Sequence, residues 1–300
     1  MARDERAGEA TSGEATAGPG VGGIAAGPGS GSGEPFISDL AWSTKTDIFV
    51  KGHNLADELI GHIDLGGMMF LLLTGRRPSA AEATMTNALL VSLVEHGMTP
   101  SAMAARLTYL GAPENLQGAI ASGLLGVGSR FVGPVDEVAR VLQEALAEAV
   151  AAQGLTAAPD PREQPAFYDE AAERIVADFR RQRRIIPGVG HPIHDPEDPR
   201  AVRLFALAAE LGFAGPHTAL QQAIQRAADR AFGKHLPVNV TGAIGAILSD
   251  MGFPWRIARG FPIVSRCVGL VAHIREELDR PLARRLWEET EQRTVPPGRA

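Results

Sequence analysis

Apolar side chains recur along most of this chain about every 3.6 residues. The sets Leu59 and Ile63; Met69, Phe70 and Leu73; Leu89, Leu90, Leu93 and Val94; Val138, Val141, Leu142 and Leu146; Leu204, Leu207 and Leu211; and Leu220 and Ile224 each gather on one side of a helix, because residues three and four apart share a face. Strand-like character is confined to a short piece around Asp47 to Lys51. The punctuation agrees with helices. Ser79-Ala-Ala-Glu82 after Pro78 is a capping box, and Gly97 and Gly212 follow periodic runs as stops. Gly97 thereby places His96 at the C-terminal end of a helix. The pattern predicts an all-α protein of roughly ten helices, too long and irregular for one four-helix bundle. No internal repeat of roughly 20 to 50 residues points to a solenoid.

The pattern fails in two places. Residues 1–35 are Gly, Ala, Ser, Glu and Pro with almost no large apolar side chain. They bury too little surface to offset backbone entropy, so a disordered tail is expected. The stretch Gly154-Leu-Thr-Ala-Ala-Pro-Asp-Pro-Arg-Glu-Gln-Pro165 reads as a surface connection between helical blocks.

Composition narrows the chemistry. With 300 residues, 45% of them hydrophobic, a sizeable core is available. Cys267 is the single cysteine, which excludes an internal disulfide and a zinc ribbon and suits a reducing cytoplasm. The N-terminus has no secretory apolar region, and no uninterrupted apolar run approaches the roughly 20 residues of a membrane helix, so no membrane partner is expected. A net charge of −6 opposes nucleic-acid binding, yet a local arginine cluster can still hold a small anion. The only lysines are Lys45, Lys51 and Lys234, which leaves phosphate-loop and Schiff-base chemistry without a strong candidate.

The most informative segment is Arg183-Arg-Ile-Ile-Pro-Gly-Val-Gly-His191-Pro-Ile-His-Asp-Pro-Glu-Asp-Pro-Arg200. Its glycines and prolines cannot be helical, so His191 sits on a stiff loop between helices at about 166–184 and 199–211. The backbone of Pro187, Gly188, Val189 and Gly190 is expected to lie open to a flat ligand. Arg181, Arg183 and Arg184 are suited to phosphate groups as forks. Two blander readings compete: a helix-ending loop with a solvated basic face, and a metal site from His191, His194, Asp195, Glu197 and Asp198. Prolines between the ligands and the lack of a third histidine weigh against metal, and no metal is assigned.

Several motifs occur together. Pro187-Gly-Val-Gly-His191 with Asp198-Pro-Arg200, Lys51-Gly-His-Asn-Leu, Phe70-Leu-Leu-Leu-Thr-Gly-Arg-Arg-Pro78, Ser265-Arg266-Cys-Val-Gly269 and Asp279-Arg280-Pro281 resemble, in order, segments of the citrate synthase superfamily, spanning about residues 42 to 282. Glu95-His96-Gly97 and the stretch from Ser122 to Asp136 resemble its citryl-CoA lyase branch, including the lyase module of ATP-citrate lyase. Val132 stands where citrate synthases carry a histidine that polarises the thioester. The resemblance implies a citrate synthase-like fold: a large helical domain from 36–190 and 238–300, and a smaller helical lobe over 191–237 that closes on ligand.

It also implies roles. His96 and His191 are expected to hydrogen-bond the reacting oxygen. Arg200 and Arg266 are expected to bind substrate carboxylates, with Arg280 reaching a neighbour's site across a homodimer or a higher homo-oligomer. Pro187 to Gly190 with Arg183 and Arg184 are expected to hold CoA. The implied partners are an acyl-CoA, present as substrate with no further cofactor, and a di- or tricarboxylate such as oxaloacetate or citrate. Thr241, in Leu236-Pro-Val-Asn-Val-Thr241-Gly-Ala-Ile-Gly245, stands at the family's catalytic aspartate, and a hydroxyl cannot replace a carboxylate in moving a proton at carbon. Three activities follow: a citryl-CoA lyase or citrate synthase-like enzyme, an enzyme of another and decarboxylating acyl-CoA, or a sensor of CoA thioesters or citrate. The small residues after Thr241 predict a closely packed helix.

Overall fold

The helical spacing is realised in twelve α-helices among residues 36–128, 134–191 and 196–298, which the computed structural model describes. The expected tail over 1–35, and Val132, His194 and Asp195, lie outside the described residues. The chain divides into two units, one ending at Ile63 and the other beginning at Asp64.

The first unit carries three short antiparallel strands, β1 Ala41–Ser43, β2 Ile48–Val50 and β3 His53–Asn54, in that order in the sheet. Trp42 pairs with Phe49 across the first ladder, and their rings stack at 5.4 Å. Lys51 and Gly52, both at positive φ, make the two-residue turn that right-handed strand twist favours. The helical spacing of Leu59 and Ile63 is only partly met. A single π-helical turn, Leu55–Leu59, is capped by Asn54 and stops at Ile60, whose backbone is extended before the left-handed Gly61.

The second unit is helical: α1 Leu65–Thr74, α2 Ala80–Val91, α3 Pro100–Gly111, α4 Leu116–Leu125, α5 Val135–Ala152, α6 Pro165–Arg181, α7 Pro199–Leu211, α8 Pro216–Phe232, α9 Val240–Asp250, α10 Trp255–Ala258, α11 Gly260–Asp279 and α12 Ala283–Arg293. Four of them, α3, α6, α7 and α8, begin with proline, which a helix tolerates in its first turn. The capping box forms at Ser79 as expected, and α7 ends on left-handed Gly212.

Helix α9 is the axle of this unit. Every residue from Val240 to Ser249 is buried, against α5, α7 and α8. Small side chains make that approach feasible. A Cβ on Gly245 would stand 2.6 Å from Val138 Cγ1 on α5. Ile244, Ile247 and Leu248 feed one core cluster and Ala246 another. At its end Asp250 accepts the N–H groups of Gly215, His217 and Thr218 at 2.9 Å each, capping α8, whose own N-cap is a glycine. Burial alone would raise the Asp250 carboxyl, but bonds from His217 and Thr218 outweigh it and hold the group below its ordinary range.

Within Trp255–Asp279 an 18-residue window is long and apolar enough, by length and composition alone, to cross a membrane, although no uninterrupted apolar run of that size exists. Half of that window is buried, and the helix contributes Phe261, Leu270 and Ile274 to the interior beside the buried polar residues Arg266, His273 and Glu277. Those contacts are those of a core helix.

Candidate active site

Helix α2 ends earlier than Gly97 suggests. Its last residue is Val91, and two tighter bonds, Leu93 N–H to Leu90 O and Val94 N–H to Val91 O, both 3.3 Å, finish the turn. From there the Glu95 carboxylate takes over as acceptor, receiving the N–H groups of His96 at 2.8 Å and Gly97 at 2.7 Å. His96 therefore lies in the loop between α2 and α3 and not at the helix C-terminus that Gly97 suggests. Burial of Leu93, an effect of roughly 1.5–3 kcal/mol for such a side chain, pins the start of this loop. Val94 is held from the other side: a Cβ on Gly269 of α11 would run into its carbonyl oxygen, so only glycine lets α11 seat there.

The loop before α7 is fastened to the start of α9. Gly190 N–H donates to Pro237 O at 2.7 Å, Asn239 N–H donates to Gly188 O at 3.0 Å, and Asn239 Nδ2 donates to Gly190 O at 2.8 Å. Val189 and Val238 form an antiparallel bridge. Gly188 and Gly190 both have positive φ, and a Cβ on Gly188 would stand 2.7 Å from Gly242 Cα. Pro187, Gly188 and Val189 are buried. Their backbone is thus not the open surface expected from the sequence; the glycines serve the approach of α9.

Asn239 is the N-cap of α9. Its Oδ1 accepts from Thr241 N–H and Gly242 N–H, both 3.1 Å, and from the Thr241 hydroxyl at 2.6 Å. The hydroxyl proton of Thr241 is therefore committed to Asn239. Asp198 plays the equivalent part for α7 and crosses to α9 as well. It is fully buried and accepts from Arg200 N–H, Nε and Nη2 and from Val240 N–H at 2.9–3.1 Å. Burial by itself would raise this carboxyl; the Arg200 and Val240 bonds and the Arg200 charge outweigh it and hold the group below its usual range.

These elements bring His96 and His191 to 6.2 Å between ring centroids. Arg200 Nη2 approaches His191 Nε2 at 3.5 Å. Because a guanidinium only donates, the facing ring nitrogen is the acceptor. Arg266 on α11 is 1% exposed, and its Nε and Nη1 have no hydrogen-bond partner among the described residues. Its nearest counter-charge is Glu95 Oε1 at 3.9 Å. Burial, and secondarily the Arg200 charge, pull the Arg266 guanidinium below its ordinary range, with Glu95 opposing. A buried guanidinium with two open donors is an anion receptor awaiting its anion.

Not every predicted residue joins this cluster. Arg280 ends α11 and is exposed, fourteen positions beyond Arg266 and hence about 21 Å further along the helix axis. Arg183 closes α6 in the left-handed region, which costs a non-glycine residue roughly 1–2 kcal/mol. Arg184 donates to Glu137 at 2.8 Å, lies over the Phe179 ring and lines a groove of about 710 Å³ between α5 and α6 with Arg140, Arg174 and Arg181. None of the cluster histidines lines that groove. Among the described residues no group of three or more His, Cys, Asp or Glu is arranged to hold a metal ion.

Residues 48–287 match the family model of the citrate synthase C-terminal domain. The chain belongs to the citrate synthase family. Among solved family structures, citryl-CoA lyase from Hydrogenobacter thermophilus is 33% identical, with a TM-score of 0.73 over 89% of this chain and 97% of that one. An ATP citrate lyase of Methanosaeta concilii, solved with (3S)-citryl-CoA, shares the fold at 21% identity and a TM-score of 0.64, over 82% of this chain and 39% of that one. A probable ATP-citrate synthase subunit 1 of Neurospora crassa is 24% identical over 287 residues, 88% of this chain. This chain spans 40% of that curated relative's length.

Several residues that shape this citrate synthase-family site are given no role by the motifs, although Asp198, Asn239 and Glu95 lie inside them. Asp198 and Asn239 have a readable signal, an Asp or Asn just before a helix that opens with Pro or with small residues. Glu95, Arg106 and His273 have none, because their meeting depends on packing across more than 160 positions.

Proposed function

We propose that this chain catalyses citryl-CoA lyase or citrate synthase-type chemistry, breaking or making the carbon–carbon bond between an acetyl-CoA unit and oxaloacetate. The observation that carries the reading is Arg266, buried with two open donors within the field of Arg200 and on the side of the unit where His96 and His191 face each other. The similarity to a citryl-CoA lyase over nearly that protein's whole length supports the same substrate class.

In the cleavage direction the tertiary hydroxyl of citryl-CoA gives up its proton and becomes the oxaloacetate carbonyl. The bond to the acyl CH2 breaks, the electron pair moves onto the thioester as an enolate, and a proton added to that carbon completes acetyl-CoA. His191 and His96 hydrogen-bond the oxygen on which charge develops, where positioned donors have their largest effect. Arg200 and Arg266 hold the carboxylates. Arg183 and Arg184 face CoA while the Pro187–Gly190 loop, packed against α9, positions His191; the 191–237 lobe closes over the ligand, and Arg280 serves a second copy of the chain in a homodimer.

Thr241 favours a second reading. Its hydroxyl donates to Asn239 at 2.6 Å and offers no carboxylate, so an acyl-CoA whose carbanion arises by loss of CO2 needs less from this position. Chromatography with mass-spectrometric detection separates the two. Turnover of (3S)-citryl-CoA, or of acetyl-CoA with oxaloacetate, that is lost in His191→Ala supports the first; turnover only of a decarboxylating acyl-CoA supports the second; CoA binding without turnover of either sinks both in favour of a sensor. Thr241→Asp is expected to raise citryl-CoA turnover by about 10²–10⁴, the usual contribution of a placed acid or base.

A further inference from the structure

Behind Glu95 lies a buried polar chain that no step of the proposed reaction uses. Arg106 on α3, 1% exposed, donates Nη1 to Glu277 at 2.6 Å and Nη2 to Glu276. It also aims Nε and Nη2 at His273 Nδ1, 3.2 and 3.0 Å away. Glu277 is fixed in turn by the N–H groups of Leu282 and Ala283, which it caps at 2.8 and 2.7 Å. The other nitrogen of His273, Nε2, meets the Glu95 carboxylate at 3.0 Å.

The proton positions along this chain follow from donor chemistry. Guanidinium has donors and no acceptor, so Nδ1 of His273 must present its lone pair to Arg106, and the ring proton belongs on Nε2, where it donates to Glu95. Arg106 thereby sets the tautomer, and the tautomer holds Glu95. The consequence at the site is a distance. Glu95 stops 3.9 Å from Arg266 Nη1, about 1 Å beyond a charge-assisted hydrogen bond. Its side chain is 42% exposed, so packing alone does not keep it from that guanidinium.

We propose that His273 is a positioning residue that restrains Glu95, so that Glu95 fixes the His96–Gly97 backbone while leaving Arg266 open to a substrate carboxylate. The substrate clause rests on the proposed function; the relay itself does not.

Two measurements test it. Two-bond ¹H–¹⁵N spectra of the imidazole rings, with the His273 signal identified by its loss in His273→Gln, should show a neutral ring protonated at Nε2; protonation at Nδ1 overturns the relay. Calorimetric titration with oxaloacetate and with citrate should show binding weakened about 10- to 100-fold in His273→Ala, as Glu95 closes on Arg266. His273→Gln, which accepts from Arg106 and donates to Glu95, should retain affinity. The double change His273→Ala with Glu95→Gln should recover most of the lost affinity, because a neutral amide cannot neutralise Arg266. A defect that the second substitution leaves unrelieved overturns the restraint and makes His273 a purely structural residue. If the wild-type chain binds neither carboxylate while His273 is protonated at Nε2, the proposed function fails and the relay stands.

Discussion

The start of α9 and the middle of α11 supply the two sides of the site and treat their polar groups oppositely. At α9 every polar side chain described is occupied: Asp198 accepts four N–H groups, and Asn239 accepts three donors while donating to Gly190. At α11 Arg266 is as deeply buried, yet two of its nitrogens have no partner among the described residues. A satisfied network holds a shape, whereas an unsatisfied buried charge stores a cost that a ligand can relieve. The same degree of burial thus marks scaffold in one place and receptor in the other.

The largest effect should come from opening the closed side. Asp198→Ala strands the Val240 N–H and the Arg200 guanidinium and is expected to cost about 3–5 kcal/mol, the range for breaking one partner of a buried pair, measured by urea denaturation. The pH dependence has a definite sign. A carboxyl held below its usual 3.8 stabilises the fold above that value and loses its contribution as pH falls through the lowered folded value. The gap between wild type and variant should therefore be constant near neutrality and narrow below about pH 3.8. A cost under 1 kcal/mol would mean that the α7–α9 junction is not held this way.

Arg266→Met should move stability in the other direction. Replacing a desolvated guanidinium that lacks hydrogen bonds with an apolar side chain of similar length is expected to stabilise the ligand-free protein by about 1–4 kcal/mol and to abolish oxaloacetate binding. A variant that loses both stability and binding would show that Arg266 is already satisfied without ligand, and the contrast between the two sides would collapse.

How far the sequence foretells this contrast depends on the range of the interactions. Local devices are legible: the capping box at Ser79, the proline-led helices and the close packing of Gly242 to Ala246 all follow from patterns within a few residues. The motif residues His96, His191, Arg200 and Arg266 all lie in the second unit. The end of α2 is misread because Glu95 takes over the N–H groups of His96 and Gly97 by side-chain bonding, which spacing does not encode. The Pro187–Gly190 loop is misread because glycine signals close approach without saying what approaches; here it is α9. Arg106 and His273 meet only through the tertiary fold.

That closeness gives a third, smaller effect. A Cβ at Gly242 would run into the Gly188 carbonyl oxygen and stand 2.8 Å from Val238 Cγ1, so both neighbours are part of the clasp itself and neither is a long side chain that can swing away. Gly242→Ala is expected to destabilise by about 1–3 kcal/mol, as overpacking does. It should also separate α9 from the His191 loop, so weaker CoA and carboxylate binding should accompany the lowered urea midpoint. Lost stability with unchanged binding would uncouple the clasp from the site.

The smallest effect provides the control for all three. Ser79 caps α2 with bonds closed in both directions, Glu82 N–H to Ser79 Oγ at 3.2 Å and Ser79 N–H to Glu82 Oε2 at 2.8 Å, while Arg76 forks the same carboxylate at 2.5 and 2.9 Å. The Arg76 bonds, with Ser79 adding to them against burial, bring the Glu82 carboxyl down to about 2. Like Asp198 this is a closed network, but it is formed within one stretch of chain and does not reach across helices to the site. Ser79→Ala should therefore cost only about 1 kcal/mol, the usual loss of a helix N-cap, fully expressed above the carboxyl's ordinary 4.5 and shrinking as pH falls toward 2. Oxaloacetate and CoA titrations should be unmoved. If this remote cap changed ligand affinity as Gly242→Ala is expected to, binding in this fold would follow global stability, and neither Asp198 nor Gly242 would have a special claim on the site.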